Sequence, residues 1–324
     1  MITRLITAFA AGCASALMFA SVTSGVLISV LLFYLAPLPL MVAAIGWGPA
    51  SAAIGGIAAG AGLGITFGIP YLTAFFITVA VPACWLGHLV LLGRPVSAAA
   101  SSDMCAAAIA PVTEWYPVGR LLTWIAGFAA LTTFAALLSL GTDDAAISAT
   151  LRRSLLSMIG LGNSLVDDGI ESVIDLLVMI APAAATIVAV MTLTLNLWLA
   201  AKVTATSGRL IRPWPDLKAA ALPTMTLGAL ALVLAFCFTG GLFAIAAQIV
   251  SAALLMAYAL VGFAALHTLT LGMRFRALAL GCAYAVVVVS VYPVLVMAGL
   301  GLADAIFGFR RRYLRSRPPP LPMS

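Results

Sequence analysis

Charge is what this sequence has least of. Lysine and arginine number 16 and the acids 10 among 324 residues, 8% in all, against roughly 25% in a soluble domain. With 64% hydrophobic residues and a mean hydropathy of +1.19, the chain cannot keep a water-facing surface, which excludes a soluble or disordered class. Histidine is almost missing: His88 and His267 stand far apart, too few for a metal site, and no metal is expected. The five cysteines (Cys13, Cys84, Cys105, Cys237, Cys282) form no CxxC pair, so they read as small packing residues rather than a disulfide or redox framework. P-loop, HExxH and GxSxG motifs are all absent, so the expectation is a protein that is not an enzyme and needs no cofactor. The net charge of +6 lies in the connections between apolar runs; it is an orientation signal, and nucleic acid is not expected as a partner.

What is abundant is apolar length. Runs near 20 residues cover 5–22, 25–45, 48–68, 71–93, 119–140, 172–201, 222–239 and 242–266, and a longer one covers 277–309 with Pro293 in its middle. Each suffices for a hydrocarbon core of about 30 Å. Backbone groups in lipid must be satisfied internally, and no alternating ten-residue segments suggest a barrel, so the expected fold is an all-α polytopic transmembrane helical bundle of about 8–10 segments. It forms a single integral membrane domain, 1–309, and ends in a basic, proline-rich tail, 310–324. The first run reads as a retained helix rather than a cleaved signal.

Basic residues set the orientation. A cytoplasmic amino terminus puts Arg4, Arg94, Arg120, Lys202, Arg209, Arg212, Lys218, Arg274 and Arg276 inside, and the acid-rich connection 141–171 outside. Placing the tail inside as well gathers 14 of the 16 basic residues on one face. That requires an even number of crossings, with 277–309 folding as two short crossings or as one with a re-entrant partner.

Small residues recur at four-residue spacing. Gly56, Gly60, Gly64 and Gly68 form one row, and Ala8, Gly12, Ala16 and Ala20 another. A helix-interior glycine costs about 1 kcal/mol against alanine. In lipid that cost is offset by close backbone contact between helices. Both rows are expected to pack against neighbouring helices, within the bundle or on a separate subunit. Because four residues overshoot one turn by about 40°, such a row winds around its helix.

The stretch "LAPLPLMVAAIGWGPASAAIGG" (35–56), with "LNLWLAAKV" (195–203), "LVGFAALH" (260–267) and "GLGLADAIFGFRRR" (299–312), resembles the YybS-like family of bacterial membrane proteins of unknown function. Where that family's pattern places glutamine before a glycine, this chain reads Leu260-Val261-Gly262. The family is in turn distantly similar to the substrate-binding membrane subunits of energy-coupling-factor transporters. That similarity implies a bacterial inner-membrane location and a six-segment core at 1–201, with further segments at 222–309. It also implies a small-residue row on the first helix, such as Ala10-x-x-x-Ala14 and Ala16-x-x-x-Ala20, that meets a coupling subunit. The functional expectation is a solute-binding or permease-like transport subunit without its own ATPase, its small-molecule ligand unknown. The alternative is a scaffold that docks envelope or cytoplasmic partners.

A few polar residues stand out. Asn196 and Gln248 lie within apolar runs and are expected either to bond a ligand or to bridge helices. Asp168, Glu171 and Asp175 share one face where the sixth run begins, as an extracytoplasmic mouth for cations or as a solvated helix start. "TDDAAISATLRRSLLSMIG" (142–160) reads as an amphipathic surface helix. Glu114, Trp115, Arg212 and Trp214 sit in tryptophan-proline connections, suited to the lipid interface or to a cytoplasmic docking surface. The orientation predicts that a cytoplasm-active reporter fused after Ser324 is active and that one inserted at Gly141 is silent. The reverse pattern would overturn it.

Overall fold

The computed structural model describes residues 2–96, 112–160, 168–290 and 292–315. It is helical nearly throughout: α1 (Ile2–Ala20), α2 (Leu27–Leu35), α3 (Pro37–Trp47), α4 (Pro49–Phe67), α5 (Ile69–Phe75) and α6 (Val81–Val90) lead to an antiparallel pair, β1 (Gly93–Val96) and β2 (Val112–Trp115). Then follow α7 (Val118–Leu138), α8 (Asp144–Met158), α9 (Asp168–Thr206), α10 (Met225–Phe236), α11 (Gly241–Leu269), α12 (Arg276–Val289), α13 (Tyr292–Phe307) and α14 (Phe309–Arg315). Among the described residues, seven helical stretches are long and apolar enough to cross a membrane, and the bent pair α13–α14 makes an eighth if taken as one span. Leu27 and Ile65 are 87% exposed and Phe238 is 90% exposed. Such a surface suits hydrocarbon rather than water.

One of the apolar runs falls short of its expected crossing. The run 222–239 yields α10, 12 residues long, or about 18 Å of a core near 30 Å. Pro223 precedes it, and Gly240 and Gly241, both at positive φ, follow. The run 277–309 is two helices, α12 and α13, parted at Ser290, whose backbone is extended. Pro293 lies in the first turn of α13, where a missing N–H leaves no bond unmade.

The helices gather into two compact units, Met1–Leu121 with Thr192–Pro215, and Leu122–Met191 with Asp216–Ser324. The division runs within α7 and α9.

In the first unit, proline and glycine punctuate the helices. Gly48 (φ 99°) and Gly68 (φ 91°) stop α3 and α4, and Pro49 and Pro70 open the helices that follow. A positive φ is open to glycine at no steric cost, and proline is preset for a first helical turn. Gly68 is therefore a turn residue, not a packing one; a side chain there would meet only Pro70, at 3.7 Å. The rest of the row faces the helical segment that follows the turn at Gly68. A Cβ on Gly56 would lie 3.1 Å from that of Ala80, one on Gly60 would run into the Phe76 ring, and one on Gly64 would lie 2.8 Å from Leu72. The three pairs are symmetric about Gly68, as an antiparallel helical hairpin requires. On the other side, Gly12 and Gly55 let α1 and α4 meet backbone to backbone. A Cβ on Gly12 would strike the Gly55 carbonyl, and one on Gly55 the Ala8 carbonyl. The buried stripe of α1 runs Ala8, Ala11, Gly12, Ser15, Phe19. Ala16 and Ala20 are half-buried and Ala10 is exposed, because the four-residue row winds off the contact face. Pro82 offers no N–H to the Thr78 carbonyl, and a π-type turn over Phe76–Ala80 takes up the mismatch.

In the second unit the tightest crossing is α11 on α13. A Cβ on Gly262 would strike the Met297 carbonyl, and one on Gly301 the Tyr258 carbonyl. Ala257, Ala259, Ala265 and Ala298 are buried in the same helices, so small residues again bring two backbones together. Asp143 caps α8, its side chain accepting from Ala146 N at 2.6 Å. Ile147 is buried, Leu151 and Leu155 are half-buried and Met158 is 82% exposed, so cover on the apolar stripe of α8 falls away toward its end.

Leucine at Gly60 or Gly301 is expected to cost about 2 kcal/mol or more by overpacking, whereas leucine at Gly62, with nothing within 4 Å, should be tolerated. Thermal unfolding in mild detergent checks this. Unchanged midpoints for Gly60→Leu and Gly301→Leu would refute the close-contact account.

Candidate functional site

The residues singled out in the sequence are dispersed. Asn196 is 1% exposed, and its Nδ2 donates to the carbonyls of Tyr34 and Thr192, each at 2.8 Å. Tyr34 belongs to the last turn of α2, beside the break at Ala36 where Pro37 begins α3. The amide thus ties the end of α9 to a helix end whose carbonyls lack their usual donors. Gln248 is half-buried on α11, and its side chain makes no hydrogen bond among the described residues.

Glu171 and Asp175 do not form an open anionic mouth. Arg152 of α8 reaches both, pairing with Glu171 at 2.7 Å and also with Asp175. The arginine offsets one of the two negative charges and fastens α8 to the start of α9. Asp168 opens α9, and its side chain lies outside the described residues.

The expected docking set is also engaged internally. Glu114 pairs with Arg94 across the β1–β2 ladder at 2.7 Å, and the Trp115 ring lies close over Gly93. Arg212 is 8% exposed and donates to the Val90 carbonyl at 3.4 Å; burial lowers its guanidinium pKa. Lys202 stands 4.7 Å over the Trp214 ring, and Arg209 stands 4.4 Å over Trp47. These cation–π contacts suit an interfacial belt.

The strongest polar constellation was not among those residues. Asp304, near the end of α13, and Arg310, on α14, are 6% and 7% exposed. Gly308 (φ 65°) lies between them, where the two helices bend by 64°. The bend turns Arg310 back onto the carboxylate. Asp304 Oδ2 accepts from Nε and Nη2, each at 2.6 Å, and Oδ1 accepts the Arg310 backbone N–H at 2.8 Å. The remaining nitrogen, Nη1, donates to the carbonyls of Lys218 and Ala220, at 2.6 and 2.9 Å. Both charges are paired and further hydrogen-bonded, the condition under which a buried ion pair survives desolvation. The pair also sets the first residues of the arginine-rich tail beside the 217–220 turn. A clue lay in the sequence: Asp304 is an acid inside an apolar run, six residues before an arginine.

Beside this pair opens a cavity of about 400 Å³. Tyr258, fully buried, forms part of its wall, and its hydroxyl stands 2.7 Å from Thr226 Oγ1. Thr226 gives its own proton to the Pro223 carbonyl, so the tyrosine is the donor. Leu222, Leu227, Val261 and Leu314 supply apolar wall, and Lys218 and Arg311, both exposed, also line it. A second, open groove of about 510 Å³ between α4 and α6 is almost wholly apolar, with Trp85 and His88 among its lining.

Long apolar helices, lipid-suited surfaces and a buried ion pair define a polytopic helical membrane protein. The chain belongs to the family described as predicted membrane protein (DUF2232), which matches residues 13–305. No curated protein and no solved structure matches it.

Removing one partner of the ion pair should cost about 3–5 kcal/mol, and replacing both by apolar groups should recover most of that. Melting of Asp304→Leu, Arg310→Met and the double variant in detergent checks this. A double variant no more stable than either single one would refute the pairing.

Proposed function

We propose that the protein is a solute-binding, permease-like transport subunit without an ATPase of its own, set in a bacterial inner membrane with both termini cytoplasmic. The observation that carries this reading is the cavity beside Asp304–Arg310. At about 400 Å³ it lies in the size range of small-molecule sites, with apolar walls and a few fixed polar groups. Its location departs from the likeness to energy-coupling-factor subunits, which puts the ligand within 1–201. A broken helix, α13–α14, beside a cavity is a form that transporters use. Counting α13–α14 as one span gives eight, the even number that a shared side for both termini requires. The scaffold reading is less favoured, because Glu114 and Arg212 are already occupied within the chain.

Native mass spectrometry of protein extracted in mild detergent tests the reading. A bound molecule of small mass is expected on the wild type and should be lost when the cavity is filled by Ala305→Phe or Leu227→Trp. Identical, ligand-free masses for all three proteins, each shown to be folded, would overturn it.

A further inference from the structure

The charges around the cavity do not balance. Lys218, Arg310 and Arg311 line it together with one carboxylate, Asp304. Asp304 is spent on Arg310, whose side chain takes both the ion pair and two carbonyls. Lys218 and Arg311 have no ion-pair partner among the described residues. Asp216 accepts the Lys218 backbone N–H at 3.0 Å, capping the turn, and does not line the cavity. The Tyr258 hydroxyl is committed, since it and Thr226 satisfy each other and Pro223, which leaves the Thr224 hydroxyl as the neutral side-chain group of the lining. A neutral polar solute therefore finds few free groups to orient it, and a cation would meet two like charges. Apolar wall, one hydroxyl and two cations without an ion-pair partner among the described residues remain.

We infer that the cavity binds a molecule with an anionic head, phosphate or carboxylate, on an apolar body, with Lys218 and Arg311 meeting the head and Leu222, Leu227 and Leu314 enclosing the body. This rests on the reading of the cavity as a ligand site and names the class of ligand. Charge-assisted hydrogen bonds to phosphate or carboxylate are about twice as strong as neutral ones. They are effective here because Arg310 has already neutralised the nearby carboxylate. A lipid headgroup with its chain and a soluble amphiphilic anion share this chemistry.

The test uses the delipidated full chain in neutral detergent with octyl phosphate, octyltrimethylammonium and inorganic phosphate as probes, read by calorimetry. Octyl phosphate should bind saturably, about ten-fold or more weaker in Lys218→Gln/Arg311→Gln, as loss of a charge-assisted bond implies. Inorganic phosphate should bind more weakly for want of an apolar body, and octyltrimethylammonium should show no saturable binding. Arg312→Gln, which removes a cation outside the cavity lining, should leave the affinity for octyl phosphate unchanged. Equal affinity in the wild type and the double variant, or an equal loss in Arg312→Gln, overturns the inference. If octyltrimethylammonium binds as well as octyl phosphate and Ala305→Phe abolishes both, the anion assignment fails while the cavity stands as a site. If no probe binds saturably, the anion assignment falls, and the native-mass comparison then decides whether the cavity binds something else. Anionic phosphatidylglycerol that stays with the wild type through purification and is displaced by octyl phosphate supports the inference with the bilayer as source. Octyl phosphate binding with no retained lipid supports it with a soluble anion as source.

Discussion

Direct approach of one helix backbone to another is the constraint on which the rest of this structure depends. Surrounding lipid is as apolar as leucine, so burying leucine between helices gains little, and van der Waals packing must supply the cohesion. It is strongest where nothing intervenes between main chains. Gly12 with Gly55 joins α1 to α4, and Gly262 with Gly301 joins α11 to α13. In both places the contact is reciprocal, each glycine lying against a carbonyl of the opposite helix. The second crossing also fixes the cavity, since Tyr258, whose carbonyl lies against Gly301, contributes to its wall.

Against that apolar packing the ion pair is an expensive feature. Two charges buried at the end of α13 need every available partner, and the bend at Gly308 supplies them. It places a backbone N–H on one carboxylate oxygen and two guanidinium nitrogens on the other. The last guanidinium nitrogen then reaches a turn some ninety residues earlier in the chain. The pair thus closes one end of the second unit, where helix packing alone leaves loops. Its completeness matters for chemistry as well. With Arg310 saturated, it shapes the cavity, and the neighbouring cations are left for other work.

Much of the architecture was legible in the residues, and its limits have physical causes. Runs bounded by a glycine and a proline were read closely: 48–68 against Pro49–Phe67, and 119–140 against Val118–Leu138. Hydropathy averages over composition, so the run 222–239 reached beyond both ends of α10, and 277–309 stayed open between two short crossings and one with a re-entrant partner where α12 and α13 part at Ser290. The glycine spacing pointed to close packing but not to its partner. Small residues at 56, 60 and 64 meet Ala80, Phe76 and Leu72, a pairing that appears only once the hairpin turn at Gly68 is known. Gly55, Gly262 and Gly301 belong to no regular row and were passed over. Asp304 and Arg310 were visible as residues but not as a pair, because a straight helix would carry them apart and only the bend brings them together. Asn196 was read as either ligand-binding or helix-bridging, and the carbonyl of Tyr34 is what it meets.

Helix α9 carries a further consequence. Between Asp175 and Lys202 it has no charged residue, a stretch of about 39 Å at the α-helical rise. An average hydrocarbon core is about 30 Å thick, so the uncharged part is submerged either by leaning, some 40° for a straight rod and near the steepest tilt that such helices adopt, or by bending at Pro182 within it. Longer acyl chains would let it stand upright, and shorter ones would force it over or squeeze its ends out. Through this one rod the protein is mechanically coupled to the thickness of the bilayer around it.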